Sequence, residues 1–208
     1  TLTQASNISV IVSIAPIFTG ILAHFFLEGE KMKKSIVLGF VCAMAGICLI
    51  TFQKGETVEL NPLGDFLGVA AAAIWGVYSI CSRKIAGFGY DTIITTRRTF
   101  FYGILFMLCA LPFMDFHLSL SALLKPVNLG NIIYLGVGAS AICFVTWNYA
   151  VKSLGATRAS VYIYGIPVVT ILMSIPLLHD VITFQAMAGT VLTLVGLLIS
   201  EWPFSPKK

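Results

Sequence analysis

The sequence predicts an all-α integral membrane protein with seven transmembrane helices, and three observations support this prediction. Of the 208 residues, 58% are hydrophobic and 11% are charged, whereas a soluble domain carries about 25% charged residues. The hydrophobic residues form continuous runs of the length that a bilayer requires, which is about 20 residues for one helix. A motif near the start of the chain also recurs near its end.

The predicted spans follow one another with short connections. They are helices rather than strands of a barrel, because the apolar runs are continuous and do not alternate with polar residues. Asn61 and Pro62 are expected to start the third span, since the first turn of a helix does not use the N–H that proline lacks. The seven spans cover residues 6–27, 35–52, 64–82, 97–114, 130–151, 158–178 and 183–202.

The basic residues indicate how these spans are oriented. With seven spans, all of the 13 Lys and Arg residues except Lys54 and Lys125 fall on one face of the membrane. Short cytoplasmic loops collect Lys and Arg, so we expect that face of the inner or plasma membrane to be cytoplasmic. Residues 203–208 then form a cytoplasmic tail. The net charge of +4 follows from this orientation, and nucleic-acid binding is not predicted.

A motif of small residues, proline, an acidic turn and two glycines occurs twice in the chain. Five spans separate equivalent positions, and because five is odd the second copy must cross the membrane in the opposite sense. Inverted repeats of this kind are typical of transporters that alternate access around a central site. The first copy reads Ala5-Ser6, Pro16-Ile17-Phe18-Thr19, Glu30, Gly39 and Gly46, and the second reads Ala156-Thr157, Pro167-Val168-Val169-Thr170, Asp180, Gly189 and Gly196.

This ordered pattern resembles the EamA family of the drug/metabolite transporter superfamily. Further stretches carry the resemblance over nearly the whole chain, namely Gly64 to Tyr78 with Arg83, Gly136 to Ala150, and Leu154 to Ala156. One departure is His179-Asp180, which stands where the family usually has Gly-Glu. The resemblance implies a transporter of small metabolites, such as an exporter of amino acids or related compounds, that works by alternating access.

The resemblance also implies a domain organisation. Family members carry ten helices in two inverted five-helix repeats. Residues 1–53 then correspond to the last two helices of the first repeat, 54–63 to an extracytoplasmic linker and 64–202 to a complete second repeat. We expect three further helices before residue 1. A seven-helix receptor, or a structural membrane protein without transport activity, is the alternative that the span count leaves open.

Polar and aromatic side chains within the spans are the candidates for a substrate cavity. In the first span, Ser6, Ser9, Ser13, Pro16, Gly20 and His24 lie three or four residues apart, so they share one helix face. Hydroxyl groups have no partner in lipid, and this face therefore points either into a cavity or into a helix-packing seam. The aromatic candidates have a role at the membrane interface as their alternative. The cavity candidates are Ser9, Ser13, Thr19, Trp75, Tyr78, Asn148, Tyr164 and Thr170.

Prolines and charged residues suggest moving parts. Pro16 and Pro167 lie mid-span, where each removes a helix hydrogen bond, and they are either hinges or structural kinks. Glu30 and Asp180 occupy equivalent turns on opposite faces and either cap a helix start or form a gate. Arg97 either attracts an anionic substrate or marks the cytoplasmic face.

Enzymatic chemistry is not predicted. The five cysteines contain no Cys-x-x-Cys pair and the three histidines are scattered, so neither a metal site nor a cofactor is expected. No nucleophile stands beside a base in a recognisable motif. The expected partners are the lipid bilayer and a small-molecule substrate, and a homodimer stays open.

Overall fold

A computed structural model describes residues 11–51, 61–113, 120–166, 168–170, 173 and 183–202. Every regular element within these ranges is a helix. The α-helices are α1 (Ala15–Phe26), α2 (Lys34–Thr51), α3 (Pro62–Gly87), α4 (Thr92–Ala110), α5 (Leu120–Leu123), α6 (Pro126–Ile133), α7 (Cys143–Leu154), α8 (Ala156–Val161) and α9 (Phe184–Glu201). Leu111–Phe113 and Tyr162–Gly165 form 3-10 turns, and Tyr134–Ile142 forms a π-helix between α6 and α7.

Five helical stretches are long and apolar enough to cross a membrane, and they correspond to the second, third, fourth, fifth and seventh predicted spans. The first predicted span contains the 12-residue helix α1, and the sixth contains all of α8 except its first two residues, with the 3-10 turn that follows. Both of these spans extend into residues outside the described ranges, so the total of seven stays a prediction. The five stretches are Lys34–Thr51, Pro62–Gly87, Thr92–Phe113, Pro126–Leu154 and Phe184–Glu201.

Capping residues, rather than the first apolar residue, determine where two of these helices begin. The Oδ1 atom of Asn61 accepts a hydrogen bond of 3.2 Å from the Gly64 amide, as the Asn-Pro pair predicted. The fourth span begins at Thr92 and not at residue 97, because Asp91 Oδ1 accepts a 2.9 Å bond from the Ile94 amide. Arg97 therefore lies inside α4 and not at its first residue.

The chain forms two compact units, one of residues 1–81 and 154–208 and the other of residues 82–153. In the first unit, α1 packs against α8 and α2 packs against α9. In the second unit, large apolar side chains of α4 such as Phe106 and Met107 are exposed. Apolar surface of this extent is unfavourable in water and is expected in lipid. The composition and these apolar helices identify an integral membrane protein.

The contact between α2 and α9 is made by backbone against backbone. A Cβ atom added to Gly46 would lie 2.6 Å from the Gly189 carbonyl oxygen, and one added to Gly196 would lie 2.6 Å from the Gly39 carbonyl oxygen. In lipid, helices associate through such close approach of small residues, because no hydrophobic effect drives them together. Glycine is therefore required at these positions by the space available.

The same interface has a local two-fold relation. Gly46 faces Thr193, and Gly196 faces Ala43. Gly196 lies 150 residues after Gly46, and Thr193 lies 150 residues after Ala43, so each contact is the equivalent of the other. Two elements that exchange equivalent contacts in this reciprocal way are related by a two-fold axis. The helices are antiparallel, since the start of α2 meets the end of α9. A second pair of contacts shows the same reciprocal relation, with Gly39 against Ser200 and Gly189 against Ile50.

We predict that Gly46→Ala lowers the stability of the protein, because the new methyl group forces α2 and α9 apart. Overpacking of this kind costs about 1–3 kcal/mol, which SDS titration of the purified protein would measure. Gly103→Ala in α4 is the matched control, since its Cβ would meet nothing within 4 Å, and it should leave stability unchanged or raise it by up to about 1 kcal/mol, the helix preference of alanine over glycine. Equal stability of Gly46→Ala and the parent would contradict the backbone contact.

Candidate functional site

The helical run that contains Pro16 is interrupted, as the position of this proline suggested. Residues 13–14 form a turn between the helical residues 11–12 and α1, and Pro16 lies in the first turn of α1. A proline is tolerated there because the first turn of a helix leaves its N–H groups unused. Interrupted membrane helices are places where transport proteins bind solutes.

The structure brings Pro16 and Tyr164 together at one small apolar pocket. Met32 and Phe40 line it beside them, and α8 contributes Val161. The pocket has space for about one water molecule. In this conformation it is therefore closed to any solute as large as an amino acid.

Tyr164 places a polar group in an otherwise apolar cluster. Its side chain is 1% exposed, and its ring lies 6.3 Å from that of Phe40, measured between centroids. Among the described residues its hydroxyl group has no hydrogen-bond partner. A buried hydroxyl without a partner costs about 1–3 kcal/mol, and such a group in a native protein calls for an explanation, such as strain, a functional role or a bound water.

The two motif threonines bond in the same way in their own helical segments. Thr19 Oγ1 donates to the Ala15 carbonyl oxygen at 3.0 Å, and Thr170 Oγ1 donates to that of Ile166 at 2.9 Å. Each acceptor lies four residues back, immediately before a motif proline, and such bonds often bend a helix. Thr170 is exposed, whereas Thr19 is fully buried against Gly76, whose added Cβ would lie 3.2 Å from the Thr19 nitrogen.

The other cavity candidates of the first unit do not line the pocket at Tyr164. Trp75 and Tyr78 are half-buried neighbours on α3, with ring centroids 5.6 Å apart. Ser13 is buried beside the start of α1, as either a cavity or a packing seam requires. Ser9, Pro167 and Asp180 lie outside the described residues.

Asn148 belongs to the second unit, where it connects three helices. Its Oδ1 atom accepts a 2.6 Å hydrogen bond from Ser82 Oγ, and its Nδ2 group donates a 2.9 Å bond to Thr96 Oγ1. The side chain is 6% exposed. These contacts use the amide for packing of α3, α4 and α7, and a water-sized pocket lined partly by Tyr90 lies beside it. Arg97, further along α4, is exposed.

Glu30 caps the start of α8, a contact whose partner the sequence did not reveal. Its Oε1 atom accepts a 3.2 Å hydrogen bond from the Ala156 amide, and its Oε2 atom accepts bonds from the amide and hydroxyl of Thr157 at 3.0 and 3.1 Å. The only sequence signal for this partner is that Ala156-Thr157 begins the second copy of the motif, directly after Gly155.

Comparison with known proteins assigns the chain to a family. The profile described as the EamA-like transporter family matches residues 1–52 and 62–202. The chain belongs to this family. The sequence resemblance is thereby confirmed, and the family is described as one of transporters.

Individual EamA relatives are longer than this chain. It is 28% identical to "Uncharacterized transporter YyaM" of Bacillus subtilis over 96% of this chain and 65% of that protein. An "Uncharacterized transporter" of Archaeoglobus fulgidus is 31% identical over 92% of this chain and 66% of its own length. The "Probable terminal-alkyne amino-acid exporter" of Streptantibioticus cattleyicolor is 27% identical over 94% of this chain and 63% of its own length. The chain thus spans slightly less than two thirds of these proteins.

A solved structure shares the fold of this chain. A protein of known crystal structure superposes with a TM-score of 0.77 at 20% sequence identity, over 96% of this chain and 68% of the other. At this identity the likeness concerns the fold alone.

We predict that Asn148→Leu destabilises the protein, because it removes both inter-helix hydrogen bonds and leaves Ser82 Oγ without this acceptor. Bonds of this kind between membrane helices contribute about 0.6 kcal/mol to stability on average. A buried group that is left without its hydrogen-bond partner raises the expected loss of stability to about 1–3 kcal/mol. Thr99→Val is the matched control, since its exposed hydroxyl bonds within α4. Thermal unfolding in detergent would compare them, and equal midpoints would contradict a packing role for Asn148.

Proposed function

We propose that this EamA chain forms part of a transporter that exports amino acids or related small metabolites by alternating access. The observation that carries the proposal is the reciprocal contact between α2 and α9, in which equivalent glycines 150 residues apart exchange partners. Transporters with inverted repeats work by rocking one repeat against the other around a site near the bilayer midplane. A two-fold seam between the two copies of the motif supports the inverted relation of the repeats, about an axis that the motion would leave in place.

The proposed architecture is two inverted repeats of five helices. Residues 1–53 supply the last two helices of one repeat, residues 54–63 the extracytoplasmic linker, and residues 64–202 the other repeat, with the C-terminus in the cytoplasm. The matching bonds of Thr19 and Thr170 to carbonyl groups before the two prolines support the equivalence of the copies. Two such proteins in a homodimer are compatible with this arrangement.

The proposed substrate site includes the region of Pro16 and Tyr164. An apolar wall with one hydroxyl group suits a metabolite that carries an apolar side chain and polar ends. The amino-acid exporter among the relatives makes amino acids the first class to test. Ser9, Ser13, Thr19, Trp75, Tyr78, Asn148 and Thr170 are the further proposed contacts, with Pro167 as the second hinge and Asp180 and Arg97 as turn or gate residues.

We predict saturable counterflow when the product of the intact gene is reconstituted in liposomes and offered radiolabelled amino acids. Tyr164→Phe should raise KM about fivefold, which corresponds to one hydrogen bond of about 1 kcal/mol. Tyr162→Phe is the matched control, because that ring is 50% exposed, and its KM should not change. Absence of saturable flux for amino acids, nucleobases, sugars and organic cations alike would count against a transporter of small metabolites.

We also predict that equivalent turns of the two motif copies lie on opposite sides of the membrane. In a variant whose five native cysteines are replaced by serine, Thr183→Cys should react with a membrane-impermeant maleimide in intact cells. Lys33→Cys should react only after permeabilisation, because the positive-inside rule places its turn in the cytoplasm. Labelling of both positions from the same side would exclude the inverted arrangement.

A further inference from the structure

We propose that the carboxylate of Glu30 is a releasable clamp on the start of α8, and that the clamp must open during the transport cycle. The inference rests on the proposed transport function, and it concerns how one conformation is held rather than which solute is carried. Four observations on the contact between Glu30 and residues 155–157 lead to it.

The clamp consists of three hydrogen bonds to one carboxylate. The amides of Ala156 and Thr157 and the hydroxyl of Thr157 donate to the two Glu30 oxygens over distances of 3.0 to 3.2 Å. Hydrogen bonds to an ionised acceptor are stronger than those between neutral groups. The first amides of a helix also carry partial positive charge. The contact connects segments more than 120 residues apart in the chain.

Gly155 shapes the clamp. Its φ of +92° lies in the region that favours glycine, and a Cβ added there would lie 2.7 Å from Glu30 Oε1. A side chain at this position would therefore both strain the backbone and push the carboxylate away. The backbone before α8 is thus fitted to this carboxylate, beyond what an ordinary helix start requires.

Helix α8 is short but buried, and the segment that carries Glu30 is irregular. Helix α8 has six residues before it changes to a 3-10 turn, and Glu30 follows Gly29, whose φ is +87°. Residues 30–33 are not helical, and Glu30 itself is half-exposed. Water can therefore solvate the carboxylate when it withdraws.

The clamp is coupled to the pocket through the same turn. Met32, two residues after Glu30, lines the pocket with Pro16 and Tyr164. A Cβ added to Gly20 of α1 would lie 3.0 Å from Met32 Cε and 3.8 Å from Thr157 Cγ2. The turn, α1 and α8 therefore meet at one place, and withdrawal of Glu30 moves a wall of the closed pocket.

Crosslinking distinguishes a releasable clamp from a permanent cap. In the variant without native cysteines, Glu30→Cys and Thr157→Cys would be joined by a cleavable thiol crosslinker that spans about one glutamate side chain. We expect crosslinking to reduce amino-acid counterflow at least tenfold, and cleavage of the crosslink to restore it. The same treatment of each single variant should have no effect.

A second crosslinked pair controls for rigidity in general. Gln185 Nε2 donates a 3.1 Å bond to the Leu49 carbonyl oxygen across α2 and α9, a seam that we expect to stay closed. Crosslinked Leu49→Cys and Gln185→Cys should transport within twofold of the untreated protein. Normal flux in the crosslinked Glu30–Thr157 protein would overturn the clamp alone, whereas absence of flux in the untreated parent would overturn the transporter.

Hydrogen exchange tests the clamp without a transport measurement. Glu30→Gln keeps the size of the side chain but removes its charge and turns an NH₂ group toward amides that also donate. We expect the Thr157 amide to exchange at least tenfold faster in this variant than in the parent protein in nanodiscs. An unchanged exchange rate would overturn the clamp whatever the flux experiments show.

Discussion

The approach of α2 to α9 through glycine is the constraint on which the rest of the first unit depends. Carbonyl oxygens of one helix lie where side chains of the other would otherwise stand, as between Gly46 and Gly189. Lipid offers no hydrophobic driving force for helix association, so close backbone packing has to supply the attraction. With that seam in place, the face of α2 that carries Phe40 meets Tyr164, and the closed pocket is bounded on one side.

The all-helical membrane class followed from the sequence because it depends on properties that are local and additive. Length of apolar runs, scarcity of charge and the alternation of basic loops need no knowledge of contacts. The spacing of Gly39 and Gly46 also matched that of Gly189 and Gly196, and these four residues pack together. Helix ends were predicted where a cap is explicit, as at Asn61-Pro62, and missed at Asp91, where polar residues of the first turns hid the helix start.

The polar contacts were beyond the reach of the sequence because their partners lie far apart in the chain. Ser82 and Asn148 are 66 residues apart, and Glu30 and Thr157 are 127 apart. Asn148 was a cavity candidate because it is a polar residue within an apolar span. The hydrogen bonds to Ser82 and Thr96 favour a helix junction instead. For Glu30 the sequence offered a cap or a gate, and only the folded chain identified the start of α8 as its partner.

The two kinds of contact suit different tasks in a protein that changes conformation. At the glycine seam, backbone atoms fit so closely that sliding of one helix along the other would bring side chains into conflict with carbonyl groups, and the seam therefore resists change. The carboxylate of Glu30 instead holds α8 by three hydrogen bonds from a partly exposed side chain, which rotation of that side chain alone can break. Motion in the first unit is therefore expected first at the turn after α1, where Met32 borders the pocket, while α2 and α9 stay together.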